Sequence, residues 1–315
     1  MILESFHNPR WVELCEPAGI APEKLGALRD VFLSAGAAAI AGRAGLQVWR
    51  QINIYFDALG LRWYCFASGD FLERLSAWHA CGVVRQFCFV HKPPGLRLRF
   101  LGAQEPMVAE LHRAMDELQA AGQIDNWSCG LYDSEPYQFG GDAGADVAHR
   151  FFTIESVATL AYHRVRLRGQ ASLEPVMFSL LLIELLLREA TGDEWERWDI
   201  WQKMELTGRL ERMDKATEAR ALHESVRARR ELAQFLFHSR ELSSPEREII
   251  AQYRETLPDI AQEIRQLHDT GRLLWPTREI IPFWIIFHWN RMAFSLEEQR
   301  RITFLMTELY SPHQR

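Results

Sequence analysis

Residues 83–101, VVRQFCFVHKPPGLRLRFL, decide how the first part of the chain folds. Residues 83–91 are rich in β-branched and aromatic side chains, and residues 96–101 alternate between apolar and basic ones, so each run predicts a β-strand. The Pro-Pro-Gly sequence at 93–95 is typical of a turn. The stretch therefore predicts two strands joined by a short connection.

The segments on either side of these two strands extend the pattern into a larger unit. Residues 47–56 place apolar side chains at alternate positions and predict a strand, while residues 71–80 predict a short amphipathic helix. A second helix begins at Pro106 and ends at Gly122, and a strand follows at about 125–132. The order β-α-β-β-α-β matches a ferredoxin-like unit.

From residue 140 almost to the end of the sequence, the spacing of apolar residues is helical. A capping box at 295–298, Ser-Leu-Glu-Glu, marks the start of the last helix, and Ser244 followed by Pro245 indicates the start of an earlier one. An N-terminal helix is expected over 22–42. The other predicted helices lie near residues 144–168, 172–190, 196–206, 213–240 and 245–269.

Together these patterns predict an α+β protein. Residues 1–45 are expected to form an N-terminal helical lead-in, and residues 46–315 one domain. Within that domain, a ferredoxin-like βαββαβ sheet unit over 46–135 is followed by a large, mostly helical region over 136–315.

The composition of the 315-residue chain excludes several classes of protein. Apolar residues make up 48% and charged residues 25%, which is typical of a globular protein and excludes wholesale disorder. The net charge of −6 argues against nucleic acid as a direct partner, because phosphate binding needs an excess of cations. The longest apolar run, 176–187, is too short to span a bilayer, and the N-terminus does not resemble a signal peptide. We therefore expect no membrane association and a cytoplasmic location.

The sequence motifs point to no metal and no cofactor. Neither the five cysteines nor the eleven histidines have the spacing of metal ligands. A Walker A loop and the G-x-G-x-x-G, H-E-x-x-H and G-x-S-x-G motifs are all missing from the sequence. We therefore expect a protein that works without a bound cofactor.

The first feature that could carry chemistry is the arginine pair in the strand predicted at 96–101. Side chains alternate along a strand, so Arg97 and Arg99 share one face of the sheet. Two guanidinium groups on one face can bind a carboxylate or a phosphate. Two solvent-exposed arginines on an edge strand are the alternative interpretation.

The second feature is a group of polar residues that follows the apolar run beginning at Ile280. His288, Asn290 and Arg291 come at the end of this run, and histidine is the usual acid or base near neutral pH. The alternative is a hydrogen-bonded histidine in the core, with Arg291 as a charge at the end of a helix.

The third feature is YDSEPYQFGG at 132–141, which contains Tyr132, Glu135 and Gln138. The two glycines allow the backbone to approach a ligand or another element closely. A plain turn into the next helix would explain the same residues.

Taken in their order along the chain, the three features resemble those of one protein family. The chain is similar to stand-alone thiopeptide-type bacteriocin biosynthesis proteins, which are themselves similar to the C-terminal elimination domain of lantibiotic dehydratases. GLRLRF (95–100) resembles the family's Arg-x-Arg strand, and YDSEPYQFGGDAGADVAHRFFTIES (132–156) its Y-x-x-E…GG segment. SLLLIELLLREATGDEWERWDIWQKM (179–204) resembles its middle helix pair, and IIFHWNRM (285–292) its His-x-Asn-Arg motif. PEKLGALRDVFLSAGAAAIAG (22–42) is similar to a helical lead-in of stand-alone members.

This resemblance implies an α+β lyase that needs no cofactor. It would eliminate glutamate from glutamylated Ser or Thr of a ribosomally made precursor peptide, which gives dehydroalanine or dehydrobutyrine. A separate glutamylating dehydratase protein would be the partner. The residues implied to be catalytic are Arg97, Arg99 and His288. The residues implied to bind the substrate are Asn290, Arg291, Tyr132, Glu135 and Gln138.

One position departs from the family pattern and leaves alternatives open. Many full-length dehydratases have Arg-Tyr before the Gly-Gly pair, where this chain has Gln138 and Phe139. Either Arg291 or Arg150 could supply the missing charge. The departure also favours a thiopeptide pyridine synthase, which joins two dehydroalanines in a formal [4+2] cycloaddition and releases the leader peptide. A non-catalytic peptide-binding subunit of a biosynthetic complex is the third possibility.

Overall fold

The structure, a computed structural model, divides into two compact units, residues 1–48 and 49–315. In the first unit, residues 22–28 are helical. The remainder of the lead-in helix predicted over 22–42, and the whole of the helix predicted at 213–240, lie outside the residues that the structure describes. The described residues are 19, 21–28, 49–56, 70–92, 95–102, 105–206 and 242–311.

The second unit begins with the elements β1 (Trp49–Tyr55), α1 (Asp70–Ala80), β2 (Gln86–Lys92), β3 (Gly95–Leu101), α2 (Glu105–Ala120) and β4 (Asn126–Gly130). The four strands form one sheet in the order β2-β3-β1-β4, and each neighbouring pair is antiparallel. Helices α1 and α2 form the two crossover connections, which is the topology of a ferredoxin-like unit and confirms the prediction.

The alternation of β3 gives the sheet two different faces. Leu96, Leu98 and Phe100 are buried in a core that the sheet shares with α1 and α2. Arg97 and Arg99 lie on the opposite face, because successive side chains of a strand point to opposite sides. On that face Cys88, the partner of Arg99 on β2, belongs to the core of the helical part. The arginine pair therefore lies on the face of the sheet that packs against the helical part, opposite the face that is covered by α1 and α2.

The helical part follows a short 3₁₀ helix at Pro136–Phe139. Its described helices are α3 (Asp142–Leu167), α4 (Pro175–Ala190), α5 (Glu194–Leu206), α6 (Ser244–Asp269), α7 (Thr277–Arg291) and α8 (Leu296–Tyr310). Helix α3 packs against β2, α6 and α7, while α7 also packs against β2 and α5. None of the described helices is long and apolar enough to cross a membrane.

The two predicted helix starts have different outcomes. The capping box at Ser295 is present as predicted, with Glu298 as its second member. The start assigned to Ser244 is wrong by one residue: Ser243 is the N-cap of α6. The reason is Glu246, which stands three residues after Ser243 and completes a capping box with it.

Candidate active site

A cavity of about 1130 Å³ lies between the polar face of the sheet and the helical part. Its walls come from β2, β3, the segment before the 3₁₀ helix, and the end of α7 with the loop that follows. It is slightly larger than the roughly 300–1,000 Å³ that is typical of small-molecule sites. Among the described residues there is no group of three or more His, Cys, Asp or Glu that could hold a metal. The predicted site residues that line the cavity are Arg97, Arg99, Tyr132, Glu135, Gln138 and Asn290.

The two arginines of β3 differ in their surroundings. Arg99 is only 8% exposed; its Nε donates a hydrogen bond to Oε1 of Gln51 at 3.0 Å. The Arg99 guanidinium also lies over the ring of Tyr132, 4.3 Å from its centroid. Arg97 is partly exposed and has no hydrogen-bond or ion-pair partner within the described part of the chain. Of the two arginines, Arg99 is thus fixed by its neighbours, and Arg97 is available to an anion.

Tyr132 is held by a histidine that the sequence analysis missed. The Tyr132 hydroxyl lies 2.6 Å from Nε2 of His149, which is 3% exposed. Burial lowers the pKa of His149 to about 4, and the charges of Arg99 and Arg291 add to this effect. A second hydrogen bond joins His149 to the backbone of Ala145, so Nε2 of the neutral ring accepts a hydrogen bond from the Tyr132 hydroxyl. Burial in turn raises the pKa of Tyr132 well above its ordinary value.

Two backbone conformations at the cavity are unusual. Glu135 (φ 45°) and Ala293 (φ 61°) are the two non-glycine residues with positive φ in the described part of the chain, and both line the cavity. Such conformations are costly and cluster at functional sites. Glu135 also accepts a hydrogen bond from Nε2 of Gln138 at 2.6 Å, so the Gln138 amide has a partner at the edge of the cavity.

His288 does not reach the cavity. It is 1% exposed, its Nδ1 is bonded to Glu155, and its Nε2 lies 2.9 Å from Oγ of Ser179. Glu155 also accepts a hydrogen bond from the hydroxyl of Tyr253. Burial raises the pKa of Glu155, but His288, Arg291 and Tyr253 outweigh this, so the pKa is lowered. The geometry corresponds to the alternative interpretation, a hydrogen-bonded histidine in the core, and direct proton transfer by His288 stays a prediction.

Arg291 also lies inside the helical core rather than at the cavity. It is fully buried, and its guanidinium lies 4.4 Å from the ring centroid of Phe152. None of its three nitrogens has a hydrogen-bond partner in the described residues, and burial lowers its pKa. Phe152 stacks on Phe287, which lines the cavity, whereas Arg291 itself is not part of the cavity lining. Arg150, the other suggested source of charge, forms an ion pair with Glu263 and does not line the cavity either.

The sheet, the helical part and the cavity between them define a class of α+β protein in which a paired-arginine strand faces a helical wall. The chain belongs to the lantibiotic biosynthesis dehydratase C-terminal family, whose model matches residues 49–310. This confirms the resemblance seen in the sequence motifs. No curated protein matches the chain.

Three solved structures share the fold. The tRNA dependent lantibiotic dehydratase MibB from Microbispora sp. 107891 aligns with a TM-score of 0.63 and 15% identity, over 83% of this chain but 28% of MibB. TsrL aligns with a TM-score of 0.55 and 15% identity, over 84% of this chain and 94% of TsrL. The pyridine synthase TbtD from thiomuracin biosynthesis aligns with a TM-score of 0.55 and 13% identity, over 83% and 97% of the two chains. At these identities the likeness shows the fold alone.

Proposed function

We propose that the protein eliminates glutamate from glutamylated serine or threonine residues of a ribosomally made precursor peptide and leaves dehydroalanine or dehydrobutyrine. The observation that carries this proposal is the arginine pair at the cavity wall. Arg99 is fixed by Gln51 and Tyr132, and Arg97 has no partner within the described residues. A glutamyl ester brings one carboxylate of its own and releases a second one as it leaves.

In this reaction a base removes the Cα proton, the electron pair forms the Cα=Cβ double bond, and the Cβ–O bond breaks. Glutamate departs as a carboxylate, so negative charge grows on the leaving oxygen. Hydrogen bonds from guanidinium groups are strongest to ionised acceptors, so Arg97 and Arg99 favour the transition state over the ester.

The group that accepts the Cα proton has to come from the cavity wall, because proton transfer requires hydrogen-bond distance. The ring nitrogens of His288 are both bonded within the core, so we assign His288 a positioning role. It joins α7 to α3 and α4, and α7 carries Phe287 and Asn290 into the cavity wall. The carboxylates that line the cavity are Asp133, Glu135, Glu174 and Glu298.

The partners follow from the chemistry of the proposed reaction. The substrate is a precursor peptide that already carries the glutamyl ester, and a separate glutamylating dehydratase protein would supply it. MibB, of which this chain spans 28%, is described as a tRNA dependent lantibiotic dehydratase. For the elimination step itself no nucleotide is needed, because the ester already provides the leaving group.

The test is to incubate the purified protein with a glutamylated peptide and follow loss of glutamate by mass spectrometry. Replacing Arg97 or Arg99 by alanine should slow this loss about ten- to a hundredfold, since a hydrogen bond to a charged group contributes about 1.5–3 kcal/mol. The control is Arg74→Ala, an exposed arginine of α1 that does not line the cavity. Unchanged turnover in both cavity variants would remove the arginine pair from the mechanism.

A second function, pyridine formation, is favoured by Gln138. This residue brings an uncharged amide where a third arginine would bind a carboxylate, and Glu135 holds that amide in place. A pyridine synthase acts on dehydroalanines and needs no carboxylate site. If a peptide with two dehydroalanines is cyclised with release of its leader, and the glutamylated peptide is returned unchanged, this second function replaces the first. If neither peptide changes but one binds, the protein is a non-catalytic binding subunit.

A further inference from the structure

The polar face of the sheet continues beyond the cavity toward the edge strand β4. A second depression of about 320 Å³ lies there, over β1, β3 and β4. Lys92 and Arg97 line both the cavity and this depression, so the two are adjacent. An extended chain that leaves the cavity past Arg97 therefore enters the depression.

The side chains of this face form a continuous hydrogen-bonded row. Gln51 accepts a hydrogen bond from Arg99 and donates one to Oδ1 of Asn53 at 2.9 Å. Asn53 donates to Oγ of Ser128 at 3.3 Å, and Ser128 lies 3.1 Å from the hydroxyl of Tyr55. The row starts at the cavity and ends at the edge strand, and its amide and hydroxyl groups carry no charge.

A glycine makes room for these amides on β4. Gly130 is the register partner of Gln51, and a Cβ atom at this position would lie 2.8 Å from both Nε2 of Gln51 and Nδ2 of Asn53. Any larger residue would push the two amides out of their row. The next residue, Leu131, lines the depression and is 94% exposed, which offers an apolar contact at the rim.

We propose that this second depression binds the backbone of the precursor peptide on one side of the residue being modified. The inference rests on the proposed function, which places a peptide residue beside Arg97. Amides and hydroxyls can each donate and accept hydrogen bonds, as backbone N–H and C=O groups do. A row of neutral amides therefore suits an extended backbone of any sequence better than it suits a carboxylate or a phosphate.

The experiment compares two glutamylated substrates. One is a nonapeptide with a central glutamylated serine between glycine and alanine residues, and the other is the single glutamylated serine, acetylated and amidated. In the variant Asn53→Leu, the ratio of kcat/KM for the long substrate to that for the short one should fall about tenfold, the effect of one or two lost hydrogen bonds. Gly130→Ala should lower the same ratio, because its Cβ displaces the same amides. The control Gln119→Leu removes an exposed amide on α2 and should leave the ratio unchanged.

A ratio that stays the same in both variants would overturn the inference, whether the two substrates slow equally or not at all. Binding of the unmodified nonapeptide, labelled with a fluorophore, provides a readout that does not depend on turnover. If the wild-type protein leaves both glutamylated substrates intact, the proposed function fails. Weaker binding of the nonapeptide to the Asn53 and Gly130 variants would still support the peptide site, and equal binding would refute it.

Discussion

Replacing His288 by alanine should weaken the fold before it affects any chemical step. The substitution removes the donor that Nδ1 provides to Glu155 and the partner of the Ser179 hydroxyl. Glu155 is fully buried and would keep one hydrogen bond from a side chain, that of Tyr253. A buried carboxylate that loses a partner cannot recover it from water.

The magnitude follows from this geometry. Removing one member of a buried, hydrogen-bonded pair costs about 3–5 kcal/mol. Domains unfold with about 5–15 kcal/mol in total, so His288→Ala should lose a large part of the stability. His288→Asn places an amide close to where Nδ1 stood and can still donate to Glu155, but it cannot reach Ser179. We expect it to lose about 1–2 kcal/mol.

The assay is urea denaturation of the wild type, both His288 variants and Lys203→Ala. Lys203 pairs with Glu279 on the surface, and an exposed pair contributes about 1 kcal/mol or less. The expected order of stability is wild type, Lys203→Ala, His288→Asn and His288→Ala. If His288→Ala unfolds within about 0.5 kcal/mol of the wild type but cannot eliminate glutamate, the histidine acts on the substrate and the core interpretation is refuted.

Three further outcomes are expected. The pKa of Glu155 is lower in the folded protein than its ordinary value of 4.5, so its stabilising effect is present above about pH 4.5 and is lost as the pH falls through the folded pKa. In the variant Glu155→Gln, the free energy of unfolding measured with urea should therefore fall less steeply between neutral and acidic pH. Gln138→Arg should speed glutamate loss about tenfold in the mass-spectrometric assay, and a slower reaction would contradict a site for a second carboxylate. Gly144→Ala should lower the melting temperature, because its Cβ would lie 1.8 Å from the Phe139 carbonyl oxygen. The control Gly192→Ala should leave the melting temperature unchanged, because its Cβ would meet no atom within 3.5 Å.

The sheet could be predicted because period-two patterns record which face is buried. Residues 47–56 and 96–101 were predicted to within two residues, since each strand has an apolar face on the core of α1 and α2. The ends were less accurate. The last strand was expected to run to residue 132 but ends at Gly130. Leu131 is exposed and Tyr132 turns into the cavity, so neither residue follows the burial pattern of a strand.

The candidate site could be predicted only where its geometry is local. Alternation along one strand places Arg97 and Arg99 on the same face, and the structure shows both at the cavity. The contacts that distinguish them are not local. Gln51 is 48 positions from Arg99 in the sequence, and the Tyr132–His149 pair joins a loop to the second turn of α3. Such pairs depend on how elements pack, and no local pattern of one sequence encodes that.

The His-x-Asn-Arg motif contributes side chains both to the cavity wall and to the helical core. The sequence pattern predicts a single polar group, but residues three apart share one side of a helix, and adjacent residues do not. On α7, Phe287 and Asn290 therefore face the cavity, while His288 and Arg291 face Glu155 and the interior. The motif contributes one polar side chain to the cavity and two to the core. Substitution of the histidine should accordingly lower the stability of the fold, and substitution of the asparagine should lower the turnover.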